Sequence, residues 1–289
     1  MRSPALALVA VTAVWGSTFV VVKDAIEQMP VTDFLTWRFA LAALVMLVIR
    51  PRSVAALGPR GRRAGLVIGL ALGSGYLLQT LGLETTSASV SGFITGMFVV
   101  LTPLGAAVLL RQRVAPAAWA AVGLATVGLG LLSLKGFAIG GGELLTLGCA
   151  AAFALHIVSL GRWAGSYDAF GLAVVQLLTT AGLCAAVAVP GGLALPPADV
   201  WPALLLCAVA ATAVAFVVQT WAQAHLTPTR AAVIMTMEPV FAGVFAVVVA
   251  DEVLGPRVLV GAALVLAAML LVEVGPRHGA EGAAPRLEV

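Results

Sequence analysis

Long apolar runs separated by short polar breaks make up almost the whole chain. A transmembrane helix needs about 20 residues to cross the hydrocarbon core of a bilayer. The breaks are rich in Pro, Gly and charged residues, and none is long enough to form a folded domain. The pattern predicts ten membrane spans, at residues 4–22, 33–49, 64–83, 87–110, 115–134, 143–161, 168–189, 200–222, 229–249 and 256–273.

The composition indicates the same class of protein. Of the 289 residues, 61% are hydrophobic and 10% are charged, and the mean hydropathy is +1.08. Soluble domains carry about 25% charged residues, so this chain lacks the polar side chains that a soluble surface needs. We therefore predict an all-α polytopic membrane protein. In such a protein the net charge of +3 reflects the distribution of loops and does not indicate nucleic-acid binding.

Basic residues are concentrated on one side of the predicted membrane. If the N-terminus lies in the cytoplasm, 12 of the 16 Lys and Arg residues fall in cytoplasmic segments, three fall outside and Arg38 lies within a span. The positive-inside rule then places both termini in the cytoplasm, in a multi-pass protein of the cell (inner or plasma) membrane. The alternative of a cleaved signal peptide is weaker, because the first run continues for nine residues beyond the cleavage-like residues 11–13.

The sequence contains no motif for catalysis or metal binding. It has no Walker A, HExxH, GxGD or GxSG motif, and its three histidines are scattered. The three cysteines, Cys149, Cys184 and Cys207, lie in apolar runs without CxxC spacing, and we interpret them as small packing residues. The sequence therefore predicts neither an enzyme nor a bound metal or cofactor.

The two halves of the chain resemble each other. The stretch "YLLQTLGLETTSASVSGFITGMFVVLTPLG" from residue 76 is similar to "FVVQTWAQAHLTPTRAAVIMTMEPVFAG" from residue 216. Each begins with an aromatic and two aliphatic residues before Gln-Thr, and each later carries one proline. The matched positions are 136 to 140 residues apart, and they pair Thr18 with His156, Arg38 with Gln176, Gln79 with Gln219, and Pro103 with Pro239.

Five predicted spans fall in each half, at residues 1–137 and 138–275. An odd number of spans turns the second copy upside down relative to the first. The sequence therefore predicts ten transmembrane helices in two inverted five-helix repeats. Inverted repeats are common in secondary transporters, whose substrate site lies near the middle of the membrane between the halves. The polar tail at residues 276–289 is expected to be disordered and cytoplasmic.

Three motifs resemble the EamA group of the drug/metabolite transporter superfamily. They are "AVWGSTFVVVK" at residues 13–23, the later "WRFALAAL", and "MEPVFAGVFAVVVADEVLG" at residues 237–255, and the resemblance covers residues 4–275. It implies ten helices in two inverted repeats and, usually, export of amino acids, metabolites or drugs. One departure concerns the acidic residue after the proline helix, Glu252, whose counterpart in the first half is basic, near Arg113.

Glu238 precedes Pro239 in the middle of the ninth predicted span. A proline within a helix removes one backbone hydrogen bond, which here would free the carbonyl of Met235. A carboxyl group inside the membrane could bind a substrate ammonium or carry a proton. The alternative is a structural Glu that pairs with a neighbouring helix, and the sequence leaves both interpretations open.

Arg38 and the "WGST" stretch form a second candidate group. Arg38 and Thr18 lie at similar depths near the outer ends of their spans, and Trp15 lies one helical turn deeper than Thr18. Arg38 could bind a substrate carboxylate beside the Trp15 ring, or it could extend to the outer interface. The small Gly16 and the hydroxylated Ser17 indicate close helix packing on a face that meets the transport pathway.

His156 and Gln176 are the repeat counterparts of Thr18 and Arg38, and inversion places them toward the cytoplasm. We predict that the two groups line opposite gates of one pathway. Because imidazole titrates near neutral pH, His156 could couple transport to protons. The alternative is a packing histidine whose ring is satisfied by a hydrogen bond.

Uncharged polar residues complete the predicted pathway. Glutamine amides suit a cavity that binds and releases polar solutes, and they also hydrogen-bond neighbouring helices. Thr95 and Met235 flank the two proline helices and are either cavity walls or packing residues. The amide residues in matched or adjacent places are Gln79, Gln219 and Gln223.

These features favour a secondary transporter, an exporter of small polar or amphipathic solutes, over other classes. The expected partners are a small-molecule substrate, the lipid bilayer and, as a coupling ion, the proton. A transporter of nucleotide sugars or lipid-linked precursors is the main alternative, but such substrates favour a strongly basic groove and the spans offer only Arg38. An intramembrane enzyme or a channel fits the two-fold inverted repeat less well.

Overall fold

A computed structural model describes residues 3–83, 85, 92, 94–133, 140–250 and 255–274. All regular secondary structure in these ranges is helical, without a strand. Two features of the sequence, the predicted tail at residues 276–289 and the acidic Glu252, lie outside the described residues.

Ten helices are described in chain order, some of them followed by single helical turns. In the first half they are α1 (Ser3–Ile26), α2 (Val31–Ile49), α3 (Gly58–Leu83), α4 (Phe98–Leu109) and α5 (Pro116–Ser133). In the second half α6 is Gly141–Trp163, α7 is Ala169–Ala188 and α10 is Pro256–Val274. Two helices have several segments, namely α8 with Trp201–Ala208, Val209–Val214 and Ala215–Gln223, and α9 with Pro228–Met235 (α9a) and Glu238–Ala250 (α9b).

Many of these helices have the length and apolar character of membrane spans. Large apolar side chains such as Val48 and Val108 remain 74% and 76% exposed, as expected for residues that face lipid. The prediction of an all-α polytopic membrane protein is confirmed. Among the described residues, five helices are long and apolar enough to cross a membrane, at Val31–Ile49, Gly58–Gly82, Gly141–Ser166, Ala169–Gly191 and Ala198–Gln223. Shorter apolar stretches of 10–17 residues are Ser3–Thr18, Ile94–Leu109, Pro116–Leu131 and Pro256–Leu271.

The ninth predicted span is interrupted. The sequence predicts one helix over residues 229–249, but α9a ends at Met235 and α9b begins at Glu238. Pro239 therefore lies in the first turn of α9b, where its missing N–H breaks no intrahelical hydrogen bond. Glu238 lies at the start of a helix and not in the middle of one. Pro103, in contrast, lies inside α4.

The eighth helix contains a π-helical segment, Val209–Val214, between two α-helical segments. π-Helical turns are rare and occur frequently at functional sites. The matching stretch of α3, residues 69–74, is regular α-helix. The two copies of this helix therefore differ in backbone geometry at matched positions.

The two halves pack against each other in a symmetric pattern. α3 packs on α6 and α7, and its repeat copy α8 packs on α1 and α2. α4 packs on α6, as its copy α9 packs on α1. The pairs α2 with α7 and α5 with α10 each join a helix to its own copy. Exchanging the halves therefore maps these main contacts onto one another.

The directions of the helices are those of an inverted repeat. α2 and its copy α7 are packed together, and the end of α2 meets the start of α7, where Arg50 and Asp168 form an ion pair of 3.2 Å. The two copies therefore run in opposite directions. This antiparallel pair of repeat copies lies at the interface between the halves.

Glycines bring α3 close to α7. Gly65, Gly69 and Gly73 lie on one face of α3, and a Cβ at Gly65 would lie 2.7 Å from the side chain of Val175. Further along, a Cβ at Gly73 would lie 3.0 Å from the side chain of Leu183. The residue numbers of the contacting pairs increase in the same direction along both helices, so α3 and α7 are parallel. The glycine face lets the two backbones approach closely, as small residues do in membrane bundles.

Candidate functional site

Five aromatic rings meet where α1, α2, α3, α6 and α8 approach one another. The ring centroids of Trp15 and Phe216 are 5.6 Å apart, and those of Tyr76 and Phe153 are 5.5 Å apart. The two pairs are repeat copies, because each member lies 138 or 140 residues from a member of the other pair. Phe39 completes this aromatic cluster, with its ring centroid 5.0 Å from that of Tyr76. The cluster lies at the interface between the halves.

Arg38 lies inside the bundle beside the aromatic cluster. It is only 6% exposed. Its Nε donates a hydrogen bond of 2.7 Å to Thr212 Oγ1, and its Nη2 donates one of 3.3 Å to the carbonyl of Ala211. The guanidinium carbon is 5.8 Å from the ring centroids of Phe39 and Tyr76. The charge is therefore held in the interior by α8 and the rings, and does not extend to the outer interface.

The carbonyl of Ala211 belongs to the π-helical segment and accepts two side-chain hydrogen bonds. Trp15 Nε1 donates to it at 2.8 Å, and Arg38 Nη2 donates at 3.3 Å. A π-helical turn shifts the backbone hydrogen-bond register, which makes a carbonyl accessible to outside donors. One backbone oxygen of α8 thereby joins α1 and α2 to the second half of the chain.

Glu238, the first residue of α9b, lies close to α1. A Cβ at Gly16 would lie 2.8 Å from the carbonyl oxygen of Glu238, so the two backbones are in direct contact. Glu238 is half-buried, and its carboxylate forms no hydrogen bond or ion pair with any residue in the described ranges. The Arg38 guanidinium lies within electrostatic range of this carboxylate. An acidic and a basic side chain therefore lie near each other without a direct ion pair in the described part of the chain.

His156, Gln176 and Thr220 form a hydrogen-bonded chain that joins α6, α7 and α8. His156 Nε2 and Gln176 Oε1 are 2.9 Å apart, and Gln176 Nε2 donates to Thr220 Oγ1 at 3.0 Å. Thr220 Oγ1 in turn donates to the carbonyl of Phe216 at 2.6 Å. None of the three residues is more than 2% exposed. The structure therefore brings together the two residues that the repeat register groups, and leaves them sealed from solvent.

Gln219 and Gln223 extend this network on α8. Gln219 Nε2 lies 3.0 Å from Gln223 Oε1 and 3.4 Å from Met235 Sδ, and Gln223 Nε2 donates to the carbonyl of Ile157 at 3.1 Å. Both glutamines are 2% exposed. Gln219 Oε1 is buried without a partner in the described part of the chain. We call the six residues the second-repeat group, which comprises His156, Gln176, Gln219, Thr220, Gln223 and Met235.

In the described part of the chain, the corresponding polar side chains of the first repeat form fewer hydrogen bonds. Gln79 Nε2 donates to Thr95 Oγ1 at 3.2 Å, and Thr95 Oγ1 lies 3.9 Å from Cys149 Sγ. Gln79 is half-buried. Gln219 contacts Met235 across the same spacing of 16 residues that separates Gln79 from Thr95. We call Arg38, Gln79 and Thr95 the first-repeat group.

The hydroxyl groups of the "WGST" stretch are satisfied within α1. Ser17 Oγ donates to the carbonyl of Val14 and Thr18 Oγ1 to that of Trp15, both at 2.8 Å. These hydroxyls therefore do not join α1 to another helix. Thr102, which precedes Pro103 as Glu238 precedes the second proline, is fully buried, and its Oγ1 has no partner among the described residues.

Two successive stretches of the chain, residues 2–134 and 140–274, each match the sequence model of the EamA-like transporter family. The chain belongs to the EamA-like transporter family. The resemblance inferred from the motifs is therefore confirmed, as is the class of a membrane transporter with transmembrane helices. A small-molecule substrate and a lipid bilayer follow from membership of this family.

Relatives of this EamA-like chain support the same assignment. An uncharacterized transporter from Archaeoglobus fulgidus is 35% identical over 274 residues, which cover 93% of this chain and 85% of the relative. A solved crystal structure of a protein has a TM-score of 0.80 at 18% identity, and the match covers 95% of this chain and 97% of the other. At that identity the likeness concerns the fold alone.

Several site residues of this EamA-like chain were not identified from its sequence. Thr212 and Ala211 hold Arg38, but they lie in a uniformly small and apolar stretch that carries no signal. Phe153 could have been identified from the sequence, because it matches Trp15 at the spacing of 138 that also relates Thr18 to His156. Within the described ranges, no group of three or more His, Cys, Asp or Glu residues is arranged to hold a metal ion.

Proposed function

We propose that this protein is a secondary transporter that exports small zwitterionic or amphipathic metabolites, such as amino acids, across the cell membrane by alternating access. The observation that carries the proposal is the pair of opposite charges at the interface between the repeats. Arg38 lies beside the aromatic cluster, and Glu238 lies within its electrostatic range without a direct partner among the described residues.

A zwitterionic solute complements these two charges. Its carboxylate accepts hydrogen bonds from Arg38, whose Nη1 has no partner in the described structure. Its ammonium group faces the Glu238 carboxylate, and its apolar part lies against the rings of Trp15 and Tyr76. Removing both solute charges from water costs free energy, and two protein charges of opposite sign offset that cost. Because neither contact is permanent, the solute can also leave.

The two polar groups are the two gates of this pathway. The second-repeat group joins α6, α7, α8 and α9a through buried hydrogen bonds, which supports a closed gate at that end in this conformation. The first-repeat group contains the half-buried Gln79 and Arg38, whose guanidinium uses only some of its N–H groups in hydrogen bonds to described residues. Because the helix contacts are symmetric between the halves, a rocking motion can open one end as it closes the other.

The proposed orientation has both termini in the cytoplasm, which places the second-repeat group toward the cytoplasm and the first-repeat group toward the outside. A carboxyl group inside the membrane is also suited to carry a proton, so we propose that Glu238 alternates between binding a proton and binding the solute ammonium. The protein has no catalytic role in this proposal.

Efflux from proteoliposomes tests the proposal. Vesicles containing the protein are loaded with labelled amino acids and small metabolites, with and without an imposed pH gradient. We expect selective efflux of zwitterions that depends on the gradient and falls about tenfold or more in Glu238→Gln. Asp199→Asn, an exposed carboxylate next to α8, is the matched control and should behave as the unmodified protein.

Two results would contradict the proposal. Equal efflux in Glu238→Gln and Asp199→Asn would make Glu238 a structural residue. Efflux of anionic solutes in preference to zwitterions would mean that Arg38 acts without Glu238. Arg38→Lys, which keeps the charge but loses the planar geometry of the guanidinium, should raise KM for carboxylate-bearing solutes more than it lowers the maximal rate.

A further inference from the structure

A groove lies where the start of α3 meets the end of α6, and its lining includes neither Arg38 nor a residue of the aromatic cluster. Its volume is about 280 Å³. It lies at the end of the bundle that carries the connection between α2 and α3, where basic residues are concentrated. The residues that line it are Arg60, Arg63, Ala64, Val67, Trp163 and Tyr167.

Two arginines give the groove an uncompensated positive charge. Arg60 and Arg63 are exposed, and neither guanidinium forms a hydrogen bond or ion pair with a described residue. Asp168, which follows the groove residue Tyr167, is already bound to Arg50 at 3.2 Å and to the backbone N–H of Gly171 at 2.8 Å. The two guanidinium groups are therefore available to an anion.

Aromatic residues form the wall of the groove opposite the arginines. A Cβ at Gly61 would lie 2.9 Å from Tyr167 Cδ1, so the absence of a side chain there lets the ring lie directly on α3. Trp163 lies beside it, and the guanidinium carbon of Arg162 is 5.7 Å from the centroid of the Trp163 ring. Trp and Tyr are enriched at the level of lipid headgroups, which places this groove at the membrane surface.

The cationic groove continues into an apolar surface along the same helix. Arg60, Arg63, Val67 and Leu70 are spaced by three or four residues and therefore share one face of α3. Val67 is 41% exposed and Leu70 is 43% exposed. A ligand that fits the whole face has an anionic end and an apolar end, in that order from the membrane surface inward.

We propose that this groove binds an anionic phospholipid, whose phosphate lies between Arg60 and Arg63 and whose acyl chain lies along Val67 and Leu70. Basic pockets between transmembrane helices suit lipid phosphates. A free phosphate or a nucleotide would leave the apolar face unused. A zwitterionic lipid would bring an additional positive charge to a groove in which two arginines lack a carboxylate partner.

Native mass spectrometry of the purified full-length protein in detergent tests this site. The protein is titrated with phosphatidylglycerol or phosphatidylcholine, and the fraction with one retained lipid is measured. We expect phosphatidylglycerol to bind about tenfold more tightly than phosphatidylcholine. Arg60→Gln/Arg63→Gln should remove this preference, whereas Arg111→Gln/Arg113→Gln should retain it. The second variant is the matched control, because it removes two exposed basic residues from the connection between α4 and α5.

Additional measurements separate the groove from general charge effects. Val67→Asn should weaken retention of phosphatidylglycerol about threefold or more, because the acyl chain loses an apolar contact. Excess glycerol phosphate should not displace the lipid. Equal loss in the two double variants would overturn the proposal, as would displacement by glycerol phosphate, which would identify a site for free phosphate groups. Thermal unfolding without added lipid verifies that each variant is folded.

Discussion

The polar groups of the two repeats lie at matched positions but differ in how completely they are bonded. In the second repeat, His156 and Gln176 are bonded to each other and are at most 2% exposed. In the first repeat, Gln79 is half-buried with one hydrogen bond to Thr95, and Arg38 is held by α8. In the described structure, the polar side chains of the second repeat are therefore joined by more buried hydrogen bonds than those of the first.

The main helix contacts of the two halves are symmetric, and the difference lies in particular side chains and in local backbone geometry. Met235 lies 16 residues after Gln219, as Thr95 lies 16 residues after Gln79, and Glu238 precedes its proline, as Thr102 precedes Pro103. The α-helical residues 69–74 also correspond to a π-helical segment in α8. A duplicated fold thus supplies equivalent positions, and different side chains at a few of them change how completely each group is hydrogen-bonded.

The largest expected effect concerns Gly16, where the first repeat tolerates no side chain. A Cβ there would lie 2.7 Å from the backbone nitrogen of Ala242, whereas the second repeat has Ala154 at the matched position. We expect Gly16→Val to lower the free energy of unfolding by about 3 kcal/mol or more, because two helix backbones must separate. Ala154→Gly should cost only about 1 kcal/mol, from lost helix propensity.

Thermal unfolding in detergent measures both changes. Gly182→Val is the control, since a Cβ at Gly182 meets nothing within 4 Å. If Gly16→Val unfolds at the same temperature as Gly182→Val, α1 and α9b are not in the close contact described, and the packing around Glu238 must be different.

The sequence predicted the helices and the matched positions of the two repeats better than it predicted the hydrogen bonds between side chains. The spans and the register follow from hydrophobic pattern and from repeated residue types, because membrane thickness and gene duplication constrain both. The same register grouped His156 with Gln176, which are in contact. It could not predict that Arg38 reaches Thr212, because a long side chain can extend toward several neighbours.

Backbone irregularities were the other feature that could not be predicted from the sequence. The π-helical segment Val209–Val214 has the same small, apolar composition as a regular helix, so its position depends on packing and not on local propensity. The proline at position 239 signalled a break in the ninth span, but not that the chain would restart a helix at Glu238. A proline is compatible with a kink inside a helix or with its first turn, and tertiary packing selects between them.

Breaking the closed network should have the next largest effect. Gln176→Leu leaves the buried His156 Nε2 without its partner and removes the donor to Thr220. An orphaned buried polar group costs about 1–3 kcal/mol, so we expect a loss of about 2 kcal/mol in the free energy of unfolding. Gln79→Leu, the same substitution in the first-repeat group, removes the hydrogen bond to Thr95 from a half-buried residue and should cost less than half as much.

Urea or thermal unfolding of the two variants in detergent compares them directly. His156→Ala combined with Gln176→Leu serves as the control, because removing both partners should cost less than the sum of the single changes. Equal losses from Gln176→Leu and Gln79→Leu would mean that the two ends are equally bonded, which contradicts the comparison.

Chemical accessibility sharpens the same comparison without measuring stability. The native cysteines are free and buried, so they are replaced by alanine and single cysteines are introduced as Gln79→Cys or Gln219→Cys. We expect a membrane-impermeant maleimide to label position 79 about tenfold faster than position 219, which corresponds to about 1.4 kcal/mol of extra opening free energy. Labelling rates are measured from each side of oriented vesicles.

Transported solute should change this ratio, because it shifts the population of the two conformations. The control variant Asp199→Cys places a cysteine at an exposed position. Its labelling rate reports whether the solute changes the reactivity of the maleimide itself. If positions 79 and 219 react at equal rates from the same side, with or without solute, the two groups are not opposite gates.

The smallest expected effect concerns the ion pair between Arg50 and Asp168, where α2 ends and α7 begins. The two side chains are 49% and 44% exposed, and their repeat counterparts, Ala188 and Pro30, carry no charge. Exposed ion pairs contribute little, so we expect Arg50→Gln to lower the free energy of unfolding by about 0.5 kcal/mol, and less at high salt.

The Asp168 side of this pair should be more sensitive, because Asp168 also accepts a hydrogen bond of 2.8 Å from Gly171 N–H at the start of α7. Asp168→Ala loses both the ion pair and the helix cap and should cost about 1 kcal/mol, whereas Asp168→Asn keeps a capping oxygen and should resemble Arg50→Gln. Unfolding curves at two salt concentrations separate the two contributions. An equal, salt-sensitive loss in all three variants would mean that the ion pair, and not the cap, stabilises this end of the repeat interface.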